Sequence, residues 1–327
     1  MTLGPALGRR TVLAAAAGLA LPLQLRAQSA WPTRPVKIID AAAPGGSTDV
    51  MARLMGNRLG ARLGQTFLVE NKPGAGMTLG TDQVARSAPD GYTFLLTSTA
   101  MCVAAASGKK LPYDYLKDLK AVGQIGVTPL IIVVPADSPF KTLRDLVDKA
   151  KASPDQVRYS TSGIGSMSHV GMELLSAQAG VKLLHVPYRG VSLSIPDLLS
   201  GQVHAALGTV ATYSAMLEAG RMRAIVVASP QRSPLLPQVP SAAESGFPEF
   251  HAEFWWGLMA PAGVPADIVR RLNAEMNTVL GEPETKASLA RLAGVPRPST
   301  TEEFSRLNTF EVERWSKLIR DANIKVE

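Results

Sequence analysis

Short apolar runs alternate with amphipathic stretches along the chain, and this alternation predicts an α/β fold. The first run, 36–39, has the length of a buried strand, and the segment 48–63 has helical periodicity. Its apolar residues recur mainly at spacings of three and four: Val50, Met51, Leu54, Met55, Leu59 and Leu63. Gly64 follows as a C-cap, because glycine adopts the left-handed conformation that ends many helices.

The same alternation continues in two further blocks. Strands are predicted at 67–70 and 92–97 around a helix at 79–87, and a surface connection is predicted for the charged segment after Leu111. The second block has strands at 130–134, 157–161, 182–186, 203–207 and 222–229, with helices at 142–151, 168–179, 194–200 and 213–219. A strand at 254–259 and three helical stretches after 266 complete the pattern.

This organisation indicates two domains. Strands that alternate with helices imply a mostly parallel sheet, and 327 residues suit two domains of ordinary size. We expect one α/β domain over 30–128, completed by the tail 252–327, and a second α/β domain over 129–251. Ligands of open parallel sheets bind beyond the carboxyl ends of the strands, so the binding chemistry is expected there.

The first 29 residues have the pattern of an export signal that is removed. Arg9 and Arg10 precede the apolar run 11–23, which is too short to span a bilayer, and small residues follow. The arginine pair resembles a twin-arginine signal, while an ordinary secretory signal fits equally well, so both routes stay open. Composition agrees with a globular protein, since hydrophobic content is 46% and charged content 19%.

Charge and motifs exclude several classes of function. The net charge of +7 includes three arginines of the export signal, and no Lys/Arg block suggests nucleic-acid binding. The sequence lacks a nucleophile elbow, a Walker loop, a His-Glu-x-x-His motif and a dinucleotide fingerprint. Cys102, the only cysteine, lies in an apolar run and is expected to be a small buried hydrophobe. We therefore predict no catalytic residue, no metal site and no cofactor.

Four polar turns at predicted strand ends carry the candidate binding chemistry. In the first, Gly45 and Gly46 precede three good N-cap residues, so free backbone N–H groups at a helix start can hold an anion. The turns contain Gly45, Gly46, Ser47, Thr48 and Asp49; Gly74, Ala75 and Gly76; Thr97, Ser98 and Thr99; and Ser162, Gly165 and Ser166. Such residues also suit ordinary turns, but their recurrence at four strand ends favours a ligand cleft.

Eight motifs spread over nearly the whole mature chain form a specific set. They lie at 44–49 with Arg53, 71–76, 89–93, 112–114, 185–190, 201–203, 239–246 and 260–265. Together they resemble the Bug-type solute receptors, the extracytoplasmic binding proteins of tripartite tricarboxylate transporters. The resemblance implies a periplasmic protein with a type II-like, two-domain binding-protein fold. It also implies a small organic carboxylate in the cleft between the domains, membrane transporter subunits as partners, and a monomer.

The resemblance also implies residue roles. In the family, backbone amides and ordered waters of the first two turns hold the ligand carboxylate. These roles carry over to Gly45, Gly46, Ser47, Thr48, Gly74, Ala75 and Gly76, and the second domain is expected to add Ser162, Gly165, Ser166 and His169. Met77 replaces a glycine that is usual in the family, and 41–43 are alanines where an aromatic residue is usual. Both departures alter the expected pocket lining.

Some alternatives stay open at this stage. Asp49 either favours the first helical turn or meets a cationic ligand group. Arg189 either clamps a distal carboxylate or is a surface residue. For the function, delivery of a carboxylate to a transporter is the first hypothesis. A ligand sensor for a signalling ectodomain and, less favoured, a small-molecule hydrolase are the alternatives.

Overall fold

The computed structural model describes residues 31–188 and 190–324 together with Met1, so the predicted export signal lies outside the described residues. Within these ranges, ten strands form one continuous, curled sheet with helices packed on it. The strands are β1 (Val36–Asp40), β2 (Phe67–Asn71), β3 (Thr93–Ser98), β4 (Leu119–Pro135), β5 (Arg158–Thr161), β6 (Leu184–Pro187), β7 (Ala205–Thr209), β8 (Met222–Val227), β9 (Glu253–Pro261) and β10 (Val295–Pro296).

All the described helices except α3 fall close to the predicted positions. They are α1 (Ser47–Leu63), α2 (Thr78–Ala85), α3 (Thr99–Ala106), α4 (Leu143–Ala152), α5 (Met167–Ala179), α6 (Ile195–Leu199), α7 (Val210–Glu218), α8 (Ala266–Gly281), α9 (Pro283–Arg291) and α10 (Thr301–Asp321). Gly64 ends α1 in the left-handed conformation, as the sequence predicts. None of these helices has both the length and the apolar character that crossing a bilayer requires.

The sheet is mixed, so the prediction of a mostly parallel sheet is wrong. β1 pairs in parallel with β2 and β3, and β5 pairs in parallel with β6 and β7. The five other pairings of the described strands are antiparallel, and every one of them involves β4 or β9. These two strands run against their neighbours and join the two parallel groups into one sheet.

β4 is the strand that belongs to both halves of the sheet. Residues 119–129 pair with β9, whereas 130–135 pair with β7 and β8. The predicted surface connection is therefore wrong from Leu119 onward. Gly123 and Gly126 give this segment a weak strand propensity, and it becomes a strand because β9 pairs with it.

Two helices contribute side chains to the cores of both halves. In α3, Cys102 packs with the first half and Val103 with the second. In α10, Phe304 packs with the first half and Trp315 with the second. Cys102 is fully buried, so its predicted role as a small buried hydrophobe is confirmed. α3 and α10 therefore pack across the junction that β4 and β9 form.

The pairing of β9 with β4 and the packing of α10 on it leave no room for a side chain at Gly257. A Cβ atom there would lie 2.9 Å from the carbonyl oxygen of Gly123 and would overlap the ring of Phe304. We expect Gly257→Ala to lower the free energy of unfolding by about 1–3 kcal/mol, because overpacking displaces backbone as well as side chain. The matched control is Gly281→Ala, where a Cβ meets nothing within 4 Å. Urea unfolding checks this, and equal stability of the two variants would contradict it.

Candidate ligand-binding site

Parallel pairing brings two of the predicted turns to one edge of the sheet. Loop 1 (43–48) follows β1 and loop 2 (72–77) follows β2, and these strands pair in register from Val36–Phe67 to Asp40–Asn71. Loop 3 (162–166) follows β5 in the other half of the sheet. All three loops lie at carboxyl ends of parallel strands, where the sequence predicts the site.

A chain of polar contacts ties loop 1 to loop 2. The Gly45 amide donates to Asp49 Oδ2 at 2.9 Å, and Asp49 pairs with Arg53 at 3.0 Å. Arg53 in turn donates to Asn71 Oδ1 at 3.0 Å, and Asn71 Nδ2 donates to Asp40 Oδ2 at 3.2 Å. The network therefore fixes the base of both loops, and it occupies the Gly45 amide and the Asp49 carboxylate within the protein.

The two carboxyl groups of this network differ in their ease of ionisation. Burial opposes ionisation of Asp49, but hydrogen bonds from the Gly45 amide and Arg53 outweigh it and lower the pKa of its carboxyl. Burial raises the pKa of the Asp40 carboxyl to about 6, although hydrogen bonds from the Ala42 amide and the Thr48 hydroxyl oppose the shift. Negative charge beside loop 1 is thus either neutralised by Arg53 or disfavoured by burial.

Loop 1 presents open amides at the start of α1. Gly46 is the N-cap and supplies no side-chain cap, and the amides of Gly46, Ser47 and Thr48 have no acceptor among the described residues. These N–H groups lie at the positive end of the helix dipole. The first helical turn can therefore donate to an anion.

Loop 2 has a run of left-handed backbone conformations. φ is +137° at Gly74, +47° at Ala75, +63° at Gly76 and +72° at Met77. Alanine and methionine are uncommon in this region, so the loop is held in a strained conformation. Among the described residues, the amides of Ala75 and Gly76 have no acceptor. A second set of donors is therefore available beside loop 1.

Loop 3 satisfies most of its own backbone donors. The Ser162 amide donates to Ser168 Oγ at 3.0 Å, and the Gly165 amide donates to His169 Nδ1 at 3.1 Å. Ser166 caps α5 by accepting from the His169 amide. What loop 3 can offer a ligand is therefore mainly the hydroxyl groups of Ser162 and Ser166, whereas Gly165 and His169 contact each other.

His169 is buried and belongs to a stacked histidine pair. Its ring lies 4.0 Å from that of His185, whose Nε2 lies 2.6 Å from Thr161 Oγ1. Burial and, next, the neighbouring His185 lower the pKa of His169 to about 4. The neutral ring keeps Nδ1 free of a proton, so it can accept from Gly165 and hold loop 3 in place.

The predicted site residues at the end of β3 and the start of α3 bond within the protein or are buried. Thr97 is buried and bonds Tyr115 at 2.7 Å, and Thr99 bonds the backbone of β9 through Glu253 and Trp255. The Ser98 hydroxyl is buried without a partner among the described residues. Arg189 lies outside the described residues.

A cavity of about 400 Å³ opens between loop 2 and loop 3. Of the predicted site residues, those that line it are Ala75, Gly76, Met77, Ser162, Gly165 and Ser166. Loop 1 does not line the cavity, and the polar network connects it to loop 2. A larger cavity of about 700 Å³ between α5 and α10 contains none of the predicted residues. The convergence of two distant loops, not size, identifies the candidate site.

Several lining residues were not predicted. They are Thr78, Ala100, Ala104, Ser107, Lys109, Leu111, Ile164, Met167 and Phe254. Most come from α3 and the segment after it, where the sequence pattern predicts no helix. The spacing of Ala100 and Ala104 by one helical turn is the signal that places both on one face. Lys109 has no such pattern and is found only from the fold.

The sequence model of one protein family, the tripartite tricarboxylate transporter family receptor, matches residues 51–324 of the chain. The chain belongs to this family. Three similar solved structures agree with this membership.

The periplasmic binding protein BugD is 31% identical, with a TM-score of 0.77 over 90% of this chain and 99% of its own. Rpa4515 of R. palustris, solved with adipate, is 30% identical, with a TM-score of 0.80 over 90% and 99%. MatC of Rhodopseudomonas palustris, solved with bound malate, is 31% identical, with a TM-score of 0.77 over 88% and 100%.

These findings confirm the predicted fold class and the predicted kind of protein. The fold is the α/β fold of periplasmic binding proteins, and the family consists of solute-binding receptors of tripartite tricarboxylate transporters. The chain is therefore a periplasmic receptor of this family and not an enzyme. The ligand roles of individual residues stay predictions.

The buried Asp40 gives this receptor a pH-dependent stability. An acid whose pKa rises on folding destabilises the fold as pH increases, because the unfolded chain releases its proton first, near pH 4. Relative to Asp40→Asn, the wild type should lose up to about 3 kcal/mol of unfolding free energy between pH 4 and 7. Denaturant unfolding at four pH values measures the difference, with Asp148→Asn on the exposed face of α4 as control. A difference that stays constant or reverses in sign contradicts the prediction.

Proposed function

We propose that the chain captures a small organic carboxylate between loop 2 and loop 3 and delivers it to the membrane subunits of its transporter. The observation that carries the proposal is the cavity of about 400 Å³ that these distant loops share. This volume lies in the range of small-molecule sites. The adipate bound to Rpa4515 and the malate bound to MatC support a carboxylate as the class of ligand.

Open amides provide the chemistry for an anion. In the cavity, Ala75 and Gly76 of loop 2 supply amide donors that the described protein does not use, whereas the open amides of Gly46, Ser47 and Thr48 in loop 1 lie outside its lining. Hydrogen bonds to a charged acceptor contribute about 1.5–3 kcal/mol each. Ser162 and Ser166 face the ligand from loop 3, and none of the described lining residues is acidic. The pairing of Asp49 with Arg53 supports an internal role for Asp49 at the start of α1 over contact with a cationic ligand group.

In this proposal the protein has two lobes. The first consists of 30–128 together with 252–327, and the second consists of 129–251. The change of partners within β4, from β9 before Pro129 to β7 and β8 after it, supports this division. The tail contacts both lobes, because Trp315 of α10 packs in the core of the second. Closure of the lobes on the ligand would exclude water and signal occupancy to the transporter. A monomer exported through the segment 1–29, by the secretory or the twin-arginine route, is part of the same proposal.

Ala75 offers a direct test of the anion site. Its backbone is left-handed, a conformation that aspartate and asparagine accept more readily than most residues, and it lines the cavity. Ala75→Asp places a carboxylate against the ligand, so affinity should fall at least about 100-fold, because like charges in an interface cost several kcal/mol. Titration calorimetry with a panel of mono- and dicarboxylates, including adipate and malate, measures this.

The control is Ala75→Asn, which has nearly the same shape and no charge. It should retain affinity within a few-fold of the wild type, and both variants should unfold at wild-type denaturant concentrations. Equal affinity of Ala75→Asp and Ala75→Asn for the best ligand of the panel would show that no anion binds beside loop 2.

A further inference from the structure

We infer that Lys109 binds a second acidic group of the ligand, so that this receptor prefers an extended dicarboxylate to a monocarboxylate of equal length. The inference rests on the proposed function, since it concerns the same cavity. It assigns the selectivity for the second group to a side chain on the segment that follows α3.

Lys109 is the one ionisable side chain among the described lining residues. It is exposed, and no ion pair within the described ranges uses its ammonium group. Other surface lysines do pair: Lys37 lies 2.8 Å from Glu70, and Lys117 lies 3.0 Å from Asp114. A cation that faces a cavity without an internal partner is available for a carboxylate of the ligand.

One face of α3 gives the cavity its length. Ala100, Ala104 and Ser107 line it at spacings of four and three residues, which at 1.5 Å per residue extends over about 10 Å. Alanine side chains leave room for a ligand and offer it no hydrogen bond. The middle of the cavity therefore suits an apolar chain, with polar groups needed only at the ends.

The polar groups of the cavity come from loop 2 and loop 3 and from the segment that follows α3. Loop 2 leads into α2, whose Thr81 hydroxyl lies 3.9 Å from the sulfur of Met101 in the first turn of α3. Lys109 follows the last turn. The Ser107 hydroxyl there already donates to the Ala104 carbonyl at 2.7 Å and accepts from the Lys109 amide at 3.3 Å. The Lys109 ammonium is therefore the free polar group at this end.

A cation at this position offsets the negative end of the α3 dipole for a second carboxylate. The carbonyl groups at the end of α3 carry the negative end of the helix dipole and repel an approaching carboxylate. The amides of loop 2 act on the first carboxylate only. A second carboxylate is accepted where Lys109 compensates the dipole, whereas a methyl group needs no such compensation.

Matched ligand pairs test the inference in titrations at low ionic strength. The pairs are succinate with butyrate, adipate with hexanoate, and suberate with octanoate. We expect the wild type to bind at least one dicarboxylate about tenfold more tightly than its partner, and Lys109→Met to remove that difference while leaving the monocarboxylate unchanged. Lys109→Arg should retain the preference. Lys110→Met, which removes the neighbouring exposed charge outside the cavity, should behave as the wild type.

The outcomes separate this inference from the proposed function. Equal affinity of the wild type for both members of every pair, or an unchanged preference in Lys109→Met, overturns the role of Lys109 and leaves the carboxylate site intact. Binding of Ala75→Asp as tight as that of the wild type, or no binding of any acid to the wild type, overturns the proposed function and this inference with it.

Discussion

The pairing of β4 with β9 is the interaction on which the rest of the structure depends. It joins two groups of parallel strands that would otherwise form separate sheets. Loop 2 belongs to one group and loop 3 to the other, so the cavity between them exists only because this pairing sets their separation. A Cβ atom at Gly257 would lie 2.9 Å from the Gly123 carbonyl oxygen, which shows how closely the chain packs at this pairing. A binding site between lobes is thus a consequence of how two antiparallel strands pair.

The two sides of the proposed anion site differ in the hydrogen-bond donors that they leave open. On the side of the first lobe, amides stay open and the negative charge of nearby carboxylates is reduced. Arg53 neutralises Asp49, and burial disfavours the ionised form of Asp40. On the other side, loop 3 uses its amides internally and is held by His169. The first side can therefore supply most of the electrostatic attraction, because open amides at a helix start gain from the dipole. The second side supplies hydroxyl groups and shape.

The sequence predicted the elements whose patterns are local. α1 and α4 show periodic apolar faces, and Thr142 caps the start of α4. It did not predict α3, because a helix of alanine, methionine and valine that is covered on several sides has no polar face to reveal its period. It missed the first half of β4 for a related reason. Strand formation there comes from β9, about 130 residues later, and not from local propensity.

The same distinction applies to the site. The glycines of the polar turns indicate backbone geometry directly and mark all three loops, and the resemblance to the family added His169. Residue type alone does not tell whether a hydroxyl group faces the cavity or the core, and Thr97 and Thr99 are bonded inside the protein. Met77 adopts a φ of +72°, a conformation that glycine accepts more readily, in agreement with the glycine that the family resemblance implies there. Because methionine accepts this strain, its side chain can line the cavity beside the open amides, where glycine would leave only backbone.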